Sequence, residues 1–313
     1  MNPANDWLVN LNVLPPRLGF GSGHTPPIDA VRERINTRLD ALVPSLRGEA
    51  GRLCEAMRYS LLAPGKRLRP MLMIVAASDL GTSFDAVLDP ACAIEMIHTA
   101  SLIMDDLPAM DNALMRRGRP TTHRHFGEGT AILASVALLN GAFGVIAQAP
   151  QLDRLKRLQL VNLLVDAVGV HGLVAGQEND LNLAADRRCS ETLEALNYQK
   201  TGVLFAASLE GAGRIAGLSD NSLAPLRECG RHLGLAFQIA DDLLDDSGCA
   251  AEIGKDVGKD ISKLTIAQTL GGDGVRQRLA DHVNGALAAL TRAGASGGQL
   301  ATLVQGCFAQ VLP

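Results

Sequence analysis

The chain has 313 residues, of which 47% are hydrophobic and only 3% are aromatic. The core must therefore be filled by Leu, Ala, Val, Ile and Met, which favours helices over a sandwich rich in aromatic side chains. The net charge of -4 gives no general attraction for nucleic acid or anionic lipid, whose binders usually carry an excess of basic residues. The composition predicts an all-α protein without a nucleic-acid partner, in which any bound anion needs a local cluster of cations.

The first 27 residues have the composition of an extended arm. Residues 1–27 contain proline pairs at 15–16 and 26–27 and several glycines. They lack a basic region followed by an apolar stretch, and the cysteines of the chain show neither C-x-x-C nor zinc-site spacing. We therefore expect a cytoplasmic protein, with residues 28–313 forming one domain because no linker divides them.

Helical periodicity begins directly after this arm. Val31, Ile35, Leu39 and Leu42 recur at helical spacing before Pro44 ends the pattern. No strand-like alternation persists further on, and the most apolar segment, residues 131–147, is short for a bilayer span, which needs about 20 residues. The sequence thus predicts a bundle of helices without a transmembrane segment. Its predicted breaks are Ala63-Pro64-Gly65, Asp89-Pro90, residues 117–120, Ala149-Pro150 and Gly271-Gly272.

The first chemical signal is the run DDLPAMD, which contains Asp105, Asp106 and Asp111 and follows a helix predicted over residues 92–104. Because Pro108 cannot continue a helix, we expect Asp105 and Asp106 on its last turn and Asp111 in the loop beyond. A helix C-terminus already carries partial negative charge, so three carboxylates there are unfavourable unless a cation binds. The run indicates a metal site, although an acidic run alone is more often a solvated helix end.

The second signal is FQIADDLLD at residues 237–245, where Asp241 and Asp245 lie one helical turn apart on one face. All-oxygen ligands suit Mg²⁺, which takes a few carboxylates together with water and substrate phosphates. Apolar runs precede both acidic clusters, so we expect the carboxylates at the mouth of an apolar cavity. Such a site suits a substrate with a charged head and a hydrocarbon tail.

Basic runs supply the complementary charge. GKRLRP at residues 65–70 follows a Pro-Gly turn, RRGRP at residues 116–120 follows the first acidic run, and GKDVGKD at residues 254–260 follows the second. Arginine binds phosphate oxygens in bidentate fashion, and lysine adds a point charge. In a chain with negative net charge these runs favour a dedicated anion, although each alone could be an ordinary solvated loop.

Taken together and in this order, the motifs resemble the trans-type isoprenyl diphosphate synthases, the family of farnesyl and geranylgeranyl diphosphate synthases. The resemblance runs from about Leu53 to Thr265 and includes EMIHTASLIMDDLPAMD, RRGRPTTH, GQENDL and KTG. It implies an isoprenoid-synthase-type fold, a single-domain helical bundle around a deep central cavity, usually as a homodimer. It also implies Mg²⁺-dependent head-to-tail condensation of isopentenyl diphosphate with dimethylallyl, geranyl or farnesyl diphosphate.

The resemblance implies a role for each matching residue. About three Mg²⁺ ions are expected at Asp105, Asp106, Asp111, Asp241, Asp242 and Asp245. The allylic diphosphate is expected at Arg116, Lys200, Thr201, Gln238 and Lys255. Isopentenyl diphosphate is expected at Gly65, Lys66, Arg69, His98 and Arg117. From the residues alone, His98 could equally be a core histidine, and Gln177 and Asp180 could be structural hydrogen-bonding groups.

The resemblance further predicts the length of the product. In this family the side chains below the first aspartate cluster line the cavity, and here Ala100 and Ser101 stand five and four residues before Asp105. Many farnesyl synthases carry a bulky aromatic residue at the fifth position, which closes the cavity floor, whereas alanine leaves it open. The expected main product is geranylgeranyl diphosphate, with farnesyl diphosphate as the alternative. Leu139 and Phe143 are candidates for the final stop.

Two rival interpretations use the same fold. A terpene cyclase needs no pocket for isopentenyl diphosphate, so the joint presence of Lys66, Arg69 and Arg117 argues against that class. A regulatory subunit of an active synthase tends to lose an aspartate cluster, and both clusters are complete here.

Overall fold

The computed structural model describes residues 27–45, 48–182, 189–246, 266–295 and 297–308, and these residues are almost entirely helical. The helices are α1 Ile28–Leu42, α2 Glu49–Leu61, α3 Leu68–Asp79, α4 Phe84–Asp105, α5 Thr122–Phe126, α6 Glu128–Ala147, α7 Arg154–Val168, α8 Leu173–Asn182, α9 Ser190–Asn197, α10 Val203–Ala216, α11 Asp220–Asp246, α12 Ile266–Arg292 and α13 Gln299–Phe308. A π-helical turn, Tyr198–Gly202, precedes α10 and is called the π turn below. The predicted all-α fold is confirmed. The predicted arm lies, except for Pro27, outside the described residues.

Three central helices carry apolar side chains on nearly all sides. Almost every residue of α3 and α10 is buried, and α4 is buried along most of its length. A helix that is apolar all round belongs in the interior of a protein. α3 and α4 pack against each other, and α10 contacts both. The remaining helices surround these three, with α6 against α4 and the pair α11 and α12 behind α10.

Two predicted helix breaks are wrong. α4 continues through Asp89-Pro90, and α12 continues through Gly271-Gly272. At the first break, Arg38 of α1 donates to both carboxylate oxygens of Asp89, at 2.6 and 3.0 Å. This ion pair and the burial of α4 stabilise a helix whose proline cannot supply one of its hydrogen bonds. Tertiary packing therefore outweighs the local preference of the sequence at this position.

The basic run at residues 116–120 forms a small hairpin that the sequence did not predict. Its strands are β1 Met115–Arg116 and β2 Arg119–Pro120, and they pair antiparallel. The two turn residues between them, Arg117 and Gly118, both have positive φ, at 52° and 75°. Positive φ at both central residues is what a two-residue hairpin turn of type I′ requires.

Three helical stretches are long and apolar enough, by length and composition, to cross a membrane: Phe84–Asp105, Glu128–Ala147 and Arg154–Asn182. They differ in how much of each the fold covers. The apolar window of the first is 67% buried within the protein, whereas those of the second and third are only 33% and 28% buried. The first is thus a core helix, and the other two present apolar side chains at the protein surface.

A pair of histidines, His232 and His282, joins α11 to α12. The Nδ1 atoms of His232 and His282 lie 3.0 Å apart, and Glu194 of α9 lies 3.8 Å from the Nε2 atom of His282. His282 is only 5% exposed. Burial lowers its pKa to about 4, and the neighbouring His232 lowers it further while Glu194 opposes the shift. The folded protein therefore keeps His282 neutral under conditions in which an unfolded chain would protonate it.

We expect stability to fall as the pH drops from about 6.5, the usual pKa of an unfolded histidine, towards about 4. Between these values the unfolded chain binds a proton at His282 and the folded protein does not, so acid favours unfolding. The measurement is the thermal unfolding midpoint at several pH values. His282→Gln should show a shallower decline, and His171→Gln, at an exposed position, should match the unchanged protein. Equal slopes in all three proteins would contradict this origin.

Candidate active site

The first aspartate cluster (Asp105, Asp106, Asp111) is formed by the end of α4 and a loop that folds back onto it. The backbone N–H of Asp111 donates to the carbonyl of Asp105 at 2.9 Å. The loop reverses at Asn112, which has a left-handed φ of 48°. The structure thus brings Asp111 beside the end of α4, as the sequence predicted.

Burial and mutual repulsion make these carboxylates unusual. The pKa of Asp105 is raised to about 6, chiefly by burial and in part by its two carboxylate neighbours Asp111 and Asp106. Lys200 and Arg116 oppose that shift. The charged form of Asp105 is therefore disfavoured in the protein alone, and a nearby cation would stabilise it.

Asp106 is held by an arginine of the hairpin. Its carboxylate is 3% exposed and accepts from Arg116, with Nη2 at 2.7 Å and Nε at 2.8 and 2.9 Å from its two oxygens. Burial raises the pKa of Asp106, and the bonds from Arg116 partly offset that shift. This two-pronged pair fixes the position of Arg116 at the edge of the cluster.

The same hairpin turns the next arginine toward the loop before α3. A Cβ atom added at Gly65 would lie 3.1 Å from Nη1 of Arg117. A side chain at residue 65 would therefore crowd the guanidinium of Arg117 and push it aside by a few tenths of an ångström. Two basic runs that are fifty residues apart in the sequence therefore meet at one point of the structure.

Arg69, His98 and Arg117, with Lys66 beside them, form what we call the cation pocket. Nη1 of Arg69 lies 3.2 Å from Nε2 of His98, and Nε of Arg69 is buried without a hydrogen-bond partner. Burial lowers the pKa of Arg69 to about 10, and the nearby Arg117 also lowers it. A buried donor without a partner is unusual in a folded protein and indicates a missing ligand.

His98 is neutral in this pocket. Burial shifts its pKa well below the usual value, and the charges of Arg69 and Arg117 lower it further. An uncharged imidazole can accept a hydrogen bond from Arg69. His98 thus belongs to the polar pocket and is not a histidine enclosed by apolar core residues.

A second line of polar contacts runs from the π turn to α11. Thr201 Oγ1 lies 3.1 Å from Oε1 of Gln238, and Nε2 of Gln238 donates to Asp242 at 3.0 Å. Close backbone packing holds the π turn in place, because a Cβ atom at Gly234 would lie 2.2 Å from the Cα atom of Gly202. π-helical turns are rare and often occur at functional sites.

Asp180 has a role that the sequence left open. Nζ of Lys200 donates to its Oδ2 atom at 2.7 Å, and both side chains are largely buried. The two residues lie on different elements, α8 and the π turn. The sequence offered only the motif GQENDL as a signal. The structure shows that one of its acidic residues holds the lysine predicted to bind the allylic diphosphate.

Charges from the two acidic clusters act on the same region. Lys200 lowers the pKa of Asp105, whose shift is dominated by burial, and Asp241 opposes the burial-driven decrease at Arg69. The end of α4 therefore lies near the π turn, and the cation pocket lies near the end of α11. The side chain of Asp245, in the last turn of α11, and all of Lys255 lie outside the described residues, so their predicted roles stay predictions.

The donor set fits a divalent cation that also needs a second ligand. Among the described side chains, no group of three carboxylate, imidazole or thiol groups converges on one point where an ion could bind. Asp105 and Asp111 nevertheless repel each other, which a cation between them would relieve. Because Mg²⁺ takes only one or two carboxylates when substrate phosphates complete its coordination, this arrangement suits Mg²⁺ bound together with a diphosphate.

The predicted chain-length residues lie where α4 packs against α6. Ala100 is 3% exposed, and its carbonyl accepts from Ser135 Oγ of α6 at 2.8 Å. Ser101 donates to the carbonyl of His98 at 2.8 Å, one turn earlier in α4. Leu139 and Phe143 of α6 are partly buried and pack against the core. A larger side chain at residue 100 would have to displace part of this contact.

An all-α bundle with two aspartate clusters near a cation pocket defines a site for a diphosphate-bearing ligand of the isoprenoid synthase class. Residues 51–269 match the family model described as "Polyprenyl synthetase". The chain belongs to the polyprenyl synthetase family. The family predicted from the sequence motifs is confirmed.

Named relatives agree with this assignment. Over 286 residues the chain is 46% identical to a geranylgeranyl diphosphate synthase of Pseudescherichia vulneris, covering 90% of this chain and 92% of that one. It is 41% identical to a farnesyl diphosphate synthase of Geobacillus stearothermophilus, covering 88% and 93%. A geranyltransferase of Helicobacter pylori, solved with magnesium and isoprenyl diphosphate, superimposes with a TM-score of 0.81 at 28% identity, covering 90% and 95%.

We expect Asp180→Asn to raise the KM for the allylic diphosphate about fivefold, the equivalent of ~1 kcal/mol for a partly buried ion pair. The loss of the carboxylate charge would leave Lys200 free to move away from the cavity. Steady-state kinetics with varied allylic substrate measure this effect. Asp166→Asn, at an exposed position on α7, is the matched control and should leave the KM unchanged. An unaltered KM in Asp180→Asn would show that the pair is only structural.

Proposed function

We propose that this protein is a Mg²⁺-dependent prenyltransferase that adds isopentenyl diphosphate to allylic diphosphates, with geranylgeranyl diphosphate as its main product. The observation that carries the proposal is the separation of charge in the cavity. Buried carboxylates that repel one another lie near Arg69, a buried arginine whose Nε atom has no hydrogen-bond partner. Divalent cations would neutralise the carboxylates, and two diphosphates would accept hydrogen bonds from the cations of the site.

The first substrate is the allylic diphosphate, held by Arg116, Lys200 and the polar line from Thr201 to Gln238. The residues of the two aspartate clusters, Asp105, Asp106, Asp111, Asp241, Asp242 and Asp245, would hold about three Mg²⁺ ions. When bound, they stabilise the diphosphate as a leaving group. Arg116 is already oriented by Asp106 and Lys200 by Asp180. Arg116 and Lys200 stabilise the released diphosphate more than the intact ester, because negative charge develops on the diphosphate as the C–O bond breaks.

The second substrate is isopentenyl diphosphate, held by the cation pocket. The buried Nε atom of Arg69 has no hydrogen-bond partner, and the guanidinium of Arg117 packs closely against Gly65. Neutral His98 adds no repulsion to a site that must also accept an allylic cation nearby. The double bond of this substrate attacks the allylic cation, and the released diphosphate accepts the final proton. Apolar walls exclude the water that would otherwise capture the cation.

Geranylgeranyl diphosphate is the proposed main product for two reasons. Residue 100, the floor position in the family that the sequence resembles, is alanine, and the relative from Pseudescherichia vulneris is named for this product. Farnesyl diphosphate is the second candidate, because the relative from Geobacillus stearothermophilus is named as a farnesyl synthase. The cyclase and regulatory-subunit alternatives are disfavoured by the cation pocket and by both acidic clusters.

Product sizing tests this proposal. Purified protein, incubated with isopentenyl diphosphate, each allylic primer and Mg²⁺, should release geranylgeranyl diphosphate, and excess chelator should abolish turnover. Ala100→Tyr should shorten the product to farnesyl diphosphate, because its ring would fill the cavity floor. Ala100→Ser is the control and should keep the longer product. A product that stops at farnesyl in the unmodified protein would contradict the chain-length proposal, and turnover that survives chelation would contradict the metal.

The protein acts as a homodimer, and an apolar face on α6 and α7 supports this part of the proposal. Large apolar side chains that are 41–64% exposed form this face: Ile132, Leu133, Val136, Leu155, Leu158 and Val165. α7 carries charged side chains among these apolar residues, so the face suits a second protein copy better than a bilayer.

We expect the unchanged protein to sediment as a dimer and the double variant Leu133→Glu with Leu158→Glu to sediment as a monomer. Two buried carboxylates on each side of the contact would strongly oppose association. Ala224→Glu, at an exposed position on α11, adds a charge outside the apolar face and should remain dimeric. A monomer for the unchanged protein at micromolar concentration would contradict the proposed assembly.

We also place the protein in the cytoplasm. The cysteines Cys54, Cys92, Cys229 and Cys307 are buried free thiols in the described part of the chain. Unpaired thiols are typical of a reducing compartment. Cell fractionation tests this location.

A further inference from the structure

The basic run at residues 65–70 contains a third cation that the predicted substrate contacts do not use. Arg67 stands between Lys66 and Arg69, but its side chain is only 2% exposed and is directed into the protein. It therefore cannot reach a ligand in the cavity. Its backbone has a φ of 53°, in the left-handed region that residues with a side chain rarely adopt.

The guanidinium of Arg67 is bound on three sides. Its Nη1 atom donates to Oε1 of Glu95 at 3.0 Å, and the side chain of Glu95 is only 3% exposed. Its Nε atom donates to Oδ1 of Asn36 at 2.8 Å, and Nη2 donates to the carbonyl of Ala63 at 3.0 Å. These acceptors lie on α4, on α1 and at the start of the same loop. A planar fork of donors can meet three such acceptors at once, which a lysine cannot do.

This anchor determines how the chain enters α3. Arg67 is the residue that caps α3, and its carbonyl accepts from the N–H of Met71 at 2.9 Å. Lys66 directly precedes the left-handed residue, and Arg69 is in the first turn of the helix that follows. A strained backbone persists only where surrounding contacts over-determine it. If Arg67 relaxed to a negative φ, the directions of Lys66 and Arg69 would change relative to each other.

Glu95 has a second effect on the same pocket. Burial lowers the pKa of Arg69 and of Arg117, and the charge of Glu95 opposes both shifts. Glu95 is thus a buried negative charge that acts on Arg67, Arg69 and Arg117. Its hydrogen bond in the described contacts is to Arg67.

We propose that Arg67 is a positioning residue for isopentenyl diphosphate: held by Glu95 and Asn36, it locks the left-handed turn that aims Lys66 and Arg69 at the diphosphate. The inference rests on the proposed function for the identity of the ligand. It predicts a selective defect, because the allylic diphosphate is held by other elements, the hairpin and the π turn.

The test is the variant Arg67→Lys, which keeps the charge for Glu95 and loses the fork. We expect the KM for isopentenyl diphosphate to rise about tenfold, as fits the loss of two oriented hydrogen bonds. The KM for the allylic diphosphate should stay within about twofold, because that site is not rearranged. An equal rise in both KM values, or no rise in either, would overturn the proposal.

Arg38→Lys is the matched control. It makes the same substitution on α1, two residues after Asn36, and weakens another ion pair between α1 and α4, that of Arg38 with Asp89. A general loosening of α1 against α4 would affect both variants alike. We expect Arg38→Lys to leave both KM values unchanged, and a defect equal to that of Arg67→Lys would refute a specific role for the turn.

Asn36→Ala keeps the proposal testable if Arg67→Lys fails to fold. It leaves the buried pair of Arg67 and Glu95 intact and removes only the acceptor of Nε. The expected rise in the KM for isopentenyl diphosphate is about threefold, with no change for the allylic substrate. No selective rise in this folded variant would count against the proposal.

Hydrogen exchange separates this inference from the proposed function, because it needs no substrate. The backbone amides of residues 66–69 and of Met71 should exchange faster in Arg67→Lys and in Asn36→Ala than in the unchanged protein, and Arg38→Lys should not differ. Unaltered exchange would show that Arg67 does not lock the turn. Failure of the unchanged protein to elongate isopentenyl diphosphate would instead contradict the proposed function, and the exchange rates would still decide the role of Arg67.

Discussion

The structure depends on keeping two sets of like charges close together and partly buried. Asp105 has two carboxylate neighbours, and Arg69 has Arg117 beside it. The pair of Asp106 and Arg116 bridges the two sets directly. Burial of unpaired charge costs free energy that the rest of the fold must offset. The central helices α3, α4 and α10 do so, because they are buried on nearly all sides.

Backbone strain accompanies this arrangement. The non-glycine residues with positive φ in the described part of the chain are Arg67, Asn112 and Arg117, and all three lie in loops of the site. Each directly follows a residue that is predicted to bind a metal ion or a substrate: Lys66, Asp111 and Arg116. Strain of this kind costs about 1–3 kcal/mol per residue and persists only where the surroundings enforce it. The loops are therefore set by the packing of the helices beneath them, and the charged side chains of these loops are held in place before any ligand binds.

Much of the fold and part of the site could be predicted from the sequence, for local reasons. Pro108 cannot continue α4, so the return of Asp111 was predictable from one residue. The same local logic failed at Pro90, where an ion pair from α1 and the burial of α4 outweigh the break. The pair of Lys200 and Asp180 depends on how the π turn packs against α8, and nothing in GQENDL or KTG reveals that packing. Contacts between elements that are distant in the chain therefore could not be predicted from the sequence.

The run GKRLRP shows why composition alone cannot assign roles. Lys66, Arg67 and Arg69 are chemically similar and close in sequence, yet one of them is turned into the protein toward Glu95. The left-handed φ of Arg67 accompanies this inward direction of its side chain. A residue that instead paired Arg69 with a carboxylate would relieve the buried charge and make the free protein more stable. It would also remove the unused donors that a diphosphate needs, so the site and the stability of the free protein have opposite requirements at this position.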